Sequence, residues 1–298
     1  MKPRTVFGMA AYNRPDSMAQ TLESILSQTR DDFALIVVDD APSKEIDRII
    51  SRYQRLDPRL VYEPNARRLG MVGNWKKCFL RARQTYPRSE YFGWVSDHDF
   101  WHPRWLEVLA GELEADSNLV LVYPQTLRLY NNLRARVPKS FDTVGIADPV
   151  ERVERAAIHI YAGDMIYGLF RASAVEAAGI FRPVLLPDRQ LLVAVAALGQ
   201  FKQVPQVLWY RQVPRAFSLD RQRASFFTGR VPLYTYLPYE MQHYALMLWD
   251  FGIRGRGVPV LGRAAALRVA AAQFRATRER GRLQQEAQAE EAARSAIG

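Results

Sequence analysis

The segment FALIVV, at residues 33–38, is apolar at every position. A strand with one face in solvent alternates apolar and polar residues, so this run predicts a strand covered on both faces, as in parallel sheets. Similar runs at Thr5–Ala11, Arg59–Tyr62 and Tyr91–Val95 alternate with segments whose apolar residues recur at helical spacing. The alternation predicts an α/β fold with a right-handed, doubly wound, mainly parallel sheet flanked by helices.

Bulk composition is that of a globular protein. The chain has 298 residues, of which 48% are hydrophobic and 24% charged. No apolar run approaches the roughly 18 residues of a membrane span, and the apolar segment near the amino terminus is too short for a signal peptide. The single cysteine, Cys78, excludes an internal disulfide and a cysteine-based zinc site. We expect a cytoplasmic protein.

The formal net charge of +10 calls for an anionic partner or surface. Six of the 41 basic residues are lysines, so 35 are arginines. Arginine binds phosphates through a bidentate fork, although an arginine-rich chain can also reflect genomic base composition. Paired Cys/His ligands and RNP-like aromatic strands are missing from the sequence, so nucleic acid is not an expected partner.

Three polar clusters follow three of the predicted strands at the points where the strands end. They are Tyr12-Asn13, Asp39-Asp40 and Asp97-His98-Asp99. Because the carboxyl ends of parallel strands lie on one edge of the sheet, the clusters should converge on one crevice, where open α/β sheets bind ligands. An Arg/Gly-rich loop with Arg67 and Arg68 lies between the second and the third. Turn chemistry explains any one cluster more easily than all three.

The third cluster holds two carboxylates one residue apart. Asp97 and Asp99 repel each other unless a cation lies between them, and hard divalent ions such as Mg²⁺ or Mn²⁺ prefer oxygen ligands. The alternative is a solvated Asx turn. His98 either ligates the metal as a neutral imidazole or packs beside the pair. The glycines form neither a dinucleotide-binding fingerprint nor a P-loop, so a bound nucleotide would be held through carboxylates and a metal.

The chain resembles a known protein family. Residues 4–106 resemble the nucleotide-sugar half of family 2 glycosyltransferases, which have the GT-A fold. The matching segments, in order, are residues 11–15 (AYNRP), 24–29 (SILSQT), 36–40 (IVVDD), Asn65 with Gly70 and Asn74-Trp75, and Asp97-His98-Asp99 as the D-x-D motif. The resemblance implies a metal-dependent, inverting transfer of a sugar from a UDP- or GDP-sugar to a hydroxyl acceptor, in glycan, polysaccharide or glycolipid synthesis.

The resemblance also implies roles for individual residues. Tyr12, with Asn13 beside it, would stack on the base, and Asp40 or Asp39 would hydrogen-bond the base or ribose. Arg67 or Arg68 would approach the base or the phosphates. Asp97 would contact the ribose side and Asp99 the metal on the diphosphate. A third carboxylate is frequent in the family where this chain has His98.

The second half of the chain should recognise the acceptor. Strands are expected at Asn118–Tyr123 and Thr126–Tyr130, and a strand that leads into a helix is expected from residue 162 to 178. Asp188 stands alone between Pro187 and an apolar helix. An inverting transfer needs a carboxylate to take the acceptor's proton, and the resemblance assigns that role to Asp188, although the family's usual Glu-Asp pair is absent. The alternative is that Asp188 caps its helix.

Residues 1–237 are predicted as the GT-A catalytic domain, with a donor half (1–106) and an acceptor half (107–237). Residues 238–298 are predicted as a helical C-terminal extension whose last 20 or so residues are mobile. Within the extension, His243 is either a late metal ligand, as the resemblance allows, or a packed histidine. A basic amphipathic helix, with Leu267, Ala270 and Phe274 on its apolar face, would lie on the inner membrane surface or pack on the domain or on a homodimer partner.

Two alternative functions remain open from the sequence. Sugar-nucleotide nucleotidyltransferases use a related sheet, but they carry a Gly-rich loop after the first strand that residues 12–15 (YNRP) do not match. The other alternative is a basic scaffold or nucleic-acid-binding protein without enzymatic activity. Metal-dependent binding of a nucleoside diphosphate would distinguish the transferase from such a scaffold, whose polyanion binding would depend on salt and not on metal.

Overall fold

The computed structural model of the chain describes residues 2–130, 135–136, 140–160, 163–213, 219–254 and 261–297. Within these ranges, one curled sheet forms the centre of the molecule and helices cover both of its faces.

The strands are β1 (Thr5–Ala11), β2 (Phe33–Asp39), β3 (Leu60–Pro64), β4 (Tyr91–Val95), β5 (Phe100–Trp101), β6 (Leu119–Tyr130), β7 (Ala135–Arg136), β8 (Leu169–Arg171) and β9 (Gln200–Val213). The α-helices are α1 (Pro15–Leu26), α2 (Lys44–Leu56), α3 (Gly70–Thr85), α4 (Trp105–Ala115), α5 (Pro149–His159), α6 (Ala172–Ala178), α7 (Pro187–Leu198), α8 (Leu219–Phe226), α9 (Tyr239–Met247) and α10 (Arg263–Ile297). Short 3₁₀ segments cover Gly163–Tyr167 and Leu233–Tyr236, and a π-helical turn covers Leu248–Ile253.

The first four long strands lie side by side and parallel, in the order β3-β2-β1-β4. Their carboxyl ends are nearly level, because Ala11 pairs with Asp39 and Asp39 pairs with Pro64, while Met9 lies opposite Val95. The residues that follow β1, β2 and β4 therefore emerge along one edge of the sheet, which we call the rim.

The sheet continues from β4 through β8, β6 and β9 to β5, with β7 paired to β6. Strand β8 is antiparallel to both neighbours and β5 is antiparallel to β9, whereas β6 and β9 are parallel. The prediction of an α/β fold with a sheet flanked by helices is confirmed. The antiparallel pairings involve β5, β7 and β8, which lie beyond β4 in the order of the sheet.

Alternate residues of β1 and β2 pack into two separate cores, one on each face of the sheet. Phe7 and Met9 belong to the core built with α1, α2 and α4, where Phe7 lies 5.6 Å from the ring of Trp105. Val6 and Ile36 belong to the opposite core, which is built with α3 and with helices from the second half. Burial on both faces explains why these strands are apolar throughout.

An aromatic cluster anchors the strand that precedes the acidic triplet. Trp94 of β4 is fully buried, and its indole N–H donates a hydrogen bond of 3.0 Å to the carbonyl of Trp75. Its ring lies 5.1 Å from Phe181 and 5.6 Å from Phe170, both at steep angles. Edge-to-face packing of this kind holds rings in fixed orientations, so the cluster fixes the end of β4 from which the triplet emerges.

Two predicted elements of the second half differ from the structure. The strands expected at Asn118–Tyr123 and Thr126–Tyr130 form one strand, β6, whose register with β9 shifts between residues 119 and 121 and again between residues 124 and 126. Part of the segment expected as a strand after residue 162 is instead the 3₁₀ turn Gly163–Tyr167.

The C-terminal helices join the core on the α3 face of the sheet. Ala270 of α10 is fully buried, and Phe274 packs 4.9 Å from Tyr244 of α9. Ala270 and Phe274 of the predicted amphipathic face are thus turned inward, whereas Leu267 is exposed. The helix extends to Ile297, and both the domain boundary at residue 237 and the mobility of the last residues stay predictions.

Candidate active site

The loop after β1 is tied directly to the acidic triplet after β4. The backbone N–H of Tyr12 donates a hydrogen bond of 2.7 Å to Oδ2 of Asp97, and the hydroxyl of Ser17 donates one of 2.8 Å to the carbonyl of Asp97. His98 uses Nδ1 to pair with Oδ1 of Asp97 at 2.8 Å. This contact corresponds to the predicted alternative in which His98 lies beside the pair, and it does not test the prediction that His98 ligates a metal.

Asp99 lies at the base of the rim and is 1% exposed. Its Oδ2 accepts a hydrogen bond of 2.7 Å from the hydroxyl of Ser96, and its Oδ1 accepts one of 2.8 Å from the backbone N–H of Gln212 in β9. Burial raises the pKa of Asp99, because removal from water disfavours the charged form. A nearby cation would favour the ionised carboxylate.

The two carboxylates of the triplet retain the capacity to bind a cation. Each of the oxygens of Asp97 and Asp99 has one hydrogen-bond partner in the contacts described above, and a carboxylate oxygen has two lone pairs. Among the described residues, no cluster of three or more His, Cys, Asp or Glu side chains surrounds a metal position. Mg²⁺ commonly uses one or two carboxylates and takes its other ligands from water and substrate phosphates, so the pair fits a cation that binds together with a diphosphate.

His243 is a packed histidine in this structure. It is buried, its Nε2 pairs with the carbonyl of Leu185 at 2.7 Å, and its ring lies 5.5 Å from that of Tyr239. Burial lowers the pKa of His243 to about 4. These contacts correspond to the predicted alternative of a packed histidine, and the alternative that His243 ligates a metal stays a prediction.

A cavity of about 190 Å³ opens beside the rim. The residues that line it come from the ends of β1 and β2, from the loops after β1 and before α3, and from α3 and α8: Ala10, Tyr12, Asp40, Arg68, Met71, Asn74, Trp75 and Ser225. The guanidinium of Arg68 lies 4.9 Å above the ring of Tyr12. Of the two predicted arginines, Arg68 lines this cavity, whereas Arg67 is exposed and is not among the lining residues. Asn13, which is also predicted to bind the donor, is exposed and has a left-handed backbone conformation.

The adjacent aspartates at the end of β2 have different surroundings. Asp39 is fully buried; its carboxylate accepts hydrogen bonds from the N–H of Ala41 (2.9 Å) and the hydroxyl of Tyr62 (3.0 Å). Burial raises the pKa of Asp39. Asp39 does not line the cavity, whereas Asp40 does, and the alternative that assigns Asp39 to the base or ribose stays a prediction.

Asp40 lines the cavity, yet its carboxylate is already engaged by the protein. It accepts hydrogen bonds from the side-chain amide of Asn65 (2.9 Å) and from the backbone N–H groups of Leu69 (2.6 Å) and Gly70 (2.8 Å). These N–H groups lie at the start of α3 and have no acceptor within the helix. Asp40 therefore holds the first residues of α3 at the rim through these hydrogen bonds. The sequence patterns do not predict this role.

Asp40→Asn is expected to lower the free energy of unfolding by about 1–3 kcal/mol, because an amide replaces one acceptor oxygen with a donor that faces a buried N–H. Urea denaturation measures the change. Asp31→Asn, at an exposed aspartate before β2, is the control and should change the free energy by less than about 0.5 kcal/mol. An Asp40→Asn protein as stable as the wild type would contradict the structural role.

Asp188 is the second residue of α7, and the N-cap position belongs to Leu186. Backbone N–H groups of Asp188 and Arg189 in the first turn hydrogen-bond its carboxylate, so the predicted alternative in which Asp188 caps its helix stays a prediction beside the general-base role. Burial raises the pKa of Asp188. A Cβ atom added to Gly163 would lie 1.9 Å from Oδ2 of Asp188, so this carboxylate fills the space that the glycine leaves open.

Tyr167 lies within electrostatic range of both Asp188 and the acidic triplet. Burial raises the pKa of Tyr167, and the negative charges of Asp99, Asp97 and Asp188 raise it further. All three carboxylates thus lie within electrostatic range of one phenol. The ring of Tyr167 packs 4.6 Å from that of Trp209 in β9, which holds it in this position.

Arg211 of β9 supplies positive charge among these carboxylates. It forms an ion pair with Asp164, and Arg128 forms a second ion pair with the same carboxylate at 2.6 Å. Burial opposes the charge of Arg211, but the carboxylates of Asp164 and Asp99 outweigh this effect and raise its pKa. Arg211 is therefore a fixed cation beside Asp99 and Asp188.

Two solved structures have a similar fold. S. aureus TarS in complex with UDP-GlcNAc has a TM-score of 0.61 and 14% identity, over 93% of this chain and 72% of TarS. Mannosyltransferase PcManGT from Pyrobaculum calidifontis, in complex with GDP-Man and Mn²⁺, has a TM-score of 0.57 and 20% identity, over all of this chain and 81% of PcManGT. At these identities the likeness concerns the fold.

Curated relatives match shorter segments. An uncharacterised glycosyltransferase of Methanocaldococcus jannaschii is 38% identical over 87 residues, which are 28% of this chain and 30% of that protein. Protein CgeD of Bacillus subtilis is 24% identical over 130 residues, which are 42% of this chain and 30% of CgeD. The match thus spans about a third of each relative's length.

The fold resembles that of GT-A glycosyltransferases. The sequence model described as "Glycosyl transferase family 2" matches residues 7–174, more than half of the chain, and the chain belongs to that family. The resemblance inferred from the rim motifs is confirmed, and the nucleotidyltransferase and scaffold alternatives lose their support.

Proposed function

We propose that this protein is a metal-dependent, inverting glycosyltransferase that moves a sugar from a nucleoside diphosphate sugar to a hydroxyl acceptor. The observation that carries the proposal is the acidic triplet at the rim, where Asp97 is hydrogen-bonded to the N–H of Tyr12 beside the cavity and Asp99 to the N–H of Gln212 in β9. The site would combine these carboxylates, for a cation, with Asp188 as a separate carboxylate for proton transfer.

The donor is a nucleoside diphosphate sugar, and the cavity beside the rim suits its nucleoside. Tyr12 presents a half-exposed ring, and Arg68 lies over that ring at the cavity wall. A flat base stacks on an aromatic ring, and an arginine fork can bind a phosphate. The complexes of TarS with UDP-GlcNAc and of PcManGT with GDP-Man support a donor of this class.

Asp97 and Asp99 would hold a divalent cation together with oxygens of the donor's diphosphate. When bound, Mg²⁺ or Mn²⁺ acts as a Lewis acid on the departing diphosphate. The Mn²⁺ in the PcManGT complex supports this cofactor class. Arg211, paired with Asp164 next to Asp99, adds a fixed positive charge that favours the negative leaving group.

Asp188 would act as the general base. Its carboxylate takes the proton of the acceptor hydroxyl while the hydroxyl oxygen bonds to the anomeric carbon and the bond from that carbon to the diphosphate breaks. A single displacement from the opposite face inverts the anomeric configuration. Burial favours this role, because the raised pKa of Asp188 brings its basicity closer to that of an effective base at neutral pH.

Gly163→Ala is expected to lower kcat by about 10²-fold while donor affinity changes little, because the new methyl group displaces the carboxylate of Asp188 and small misplacements of a catalytic group are costly. Steady-state kinetics and calorimetry with the nucleoside diphosphate separate the two effects. Gly111→Ala in α4 is the matched control, since a Cβ there meets no atom within 4 Å. Equal kcat values for the two variants would contradict the placement of Asp188 as the base.

Calorimetric titration with UDP and GDP, each with and without Mn²⁺, tests the proposed function. We expect saturable binding of one nucleotide that strengthens with Mn²⁺ and is lost on chelation. Turnover of the matching sugar nucleotide then follows by release of nucleoside diphosphate, and NMR of the product gives the anomeric configuration. Binding that is unaffected by Mn²⁺, or a product of retained configuration, would refute the metal dependence or the inversion, respectively.

A further inference from the structure

A stripe of exposed apolar residues follows α9 into the π-helical turn. Met241, Ala245, Trp249 and Ile253 recur every fourth residue and are all exposed, with Met241 at 50%, Trp249 at 47% and Ile253 at 62%. Surface helices normally present polar side chains to solvent. We call this face the 241–253 stripe; among the described residues, nothing covers it.

Leu267 of α10 extends the stripe. A Cβ atom added to Gly252 would lie 2.8 Å from Cδ2 of Leu267, so the leucine lies against the π-helical turn. Leu267 is itself exposed. The apolar surface therefore involves α9, the π-helical turn and α10, whereas isolated apolar residues on a surface carry no such meaning.

The charge around the stripe is mainly positive. Positions 240–279 contain six arginines and three acidic residues, which are Glu240, Asp250 and Glu279. Asp250 is 1% exposed and pairs with Arg182 at 2.6 Å, so it contributes no negative surface. Arg254 is exposed and its guanidinium lies 5.6 Å above the ring of Trp249. Arg263 and Arg268 of α10 are exposed as well.

We propose that the 241–253 stripe and its arginine border dock on the surface of an anionic lipid bilayer. Apolar and tryptophan side chains enter the boundary between headgroups and acyl chains, while arginines bind lipid phosphates. A convex helix face needs no complementary groove in a fluid bilayer, whereas a protein partner has to supply one. Of the apolar face predicted on α10, Leu267 belongs to this surface, whereas Ala270 and Phe274 pack inward.

Tryptophan fluorescence tests the proposal directly, because Trp249 is the exposed member of the set of six. The other five are buried: Trp75, Trp94, Trp101, Trp105 and Trp209. We expect vesicles of phosphatidylglycerol mixed with phosphatidylcholine to shift the emission to shorter wavelength, and brominated lipid in the same vesicles to quench it. Trp249→Phe should abolish both signals and retain binding.

Co-sedimentation with the same vesicles measures affinity. Trp249→Ser combined with Ile253→Ser should weaken binding by about tenfold or more, since binding scales with buried apolar area. Leu56→Ser, at a leucine of α2 that is 71% exposed, is the control and should bind as the wild type does. Vesicles of phosphatidylcholine alone and high salt should each weaken binding, because the arginines act through charge.

The proposal is overturned if the wild-type protein shows neither the emission shift nor co-sedimentation with anionic vesicles. It is also overturned if Leu56→Ser weakens binding as much as the double variant does. A dimer in light scattering that the double variant dissolves, without lipid binding by either protein, would assign the stripe to a second copy of the chain instead. Should the double variant fail to fold, the quenching of Trp249 in the wild type decides the question.

Discussion

Asp188→Asn is expected to lower kcat by about 10²- to 10⁴-fold, because the amide cannot accept the proton of the acceptor hydroxyl. Donor affinity should remain close to that of the wild type, since Asp188 belongs to α7 and does not line the cavity with Tyr12 and Arg68. Single-turnover kinetics and titration with the nucleoside diphosphate measure the two quantities separately.

The stability of this variant distinguishes a catalytic from a structural role. Burial raises the pKa of Asp188 above its ordinary value of 3.8, so the folded protein holds this proton more tightly than the unfolded chain does. As pH rises through the raised pKa, ionisation of the buried group lowers stability. The neutral Asp188→Asn variant should therefore melt at the same or a higher temperature than the wild type at neutral pH; a lower melting temperature with joint loss of donor binding would indicate a structural role.

The raised pKa of Asp188 also gives the direction in which kcat depends on pH. A general base works only when it is deprotonated, so kcat should fall as pH falls through the raised pKa of Asp188, at a pH above 3.8. The residual activity of Asp188→Asn should lack this acid limb. An unchanged limb in the variant would assign the titration to another group.

The donor half was predictable because local sequence patterns determine it. Each of β1, β2 and β4 is an apolar run that ends at a polar cluster, and parallel pairing brings those ends to one edge. The observed β2, Phe33–Asp39, is one residue longer than the apolar run FALIVV. Knowing the strand ends was sufficient to predict the rim, without any knowledge of tertiary contacts.

The choice between Asp39 and Asp40 was not predictable. Successive side chains of a strand point in opposite directions, so a shift of one residue in the strand end exchanges the two environments. The structure shows Asp39 against Tyr62 and Asp40 at the cavity, bound to the N–H groups of Leu69 and Gly70. The donors of these bonds lie 23–30 residues further along the chain, beyond the range of local patterns.

The surroundings of Asp188 depend on contacts that are still more distant in sequence. Gly163 and Tyr167 lie in a 3₁₀ turn where the sequence predicted a strand, and neither was among the predicted site residues. One signal was present: glycine inside a predicted strand indicates a close approach by another group. The group that approaches Gly163 is the carboxylate of Asp188, but the glycine alone does not identify it.

Asp99→Asn is expected to lower kcat/KM by about 10³-fold, because it removes one of the two negative charges proposed to hold the cation on the diphosphate. The amide can keep the local fold: its oxygen accepts from the N–H of Gln212 and its NH₂ group donates to the hydroxyl of Ser96. The increase in melting temperature that Mn²⁺ and nucleoside diphosphate produce together should disappear, while the melting temperature without ligands stays close to that of the wild type.

Replacement of Asp99 tests cation binding more directly than replacement of Asp97 does. Asp97 accepts the N–H of Tyr12, so its replacement also disturbs the loop that carries the stacking ring. The Asp99 variant leaves that bond intact, and metal-free nucleotide binding should therefore survive in it. Asp31→Asn, which removes an exposed aspartate before β2, controls for net charge and should keep the full response to Mn²⁺. An Asp99→Asn protein that keeps this response would exclude Asp99 as a ligand of the cation.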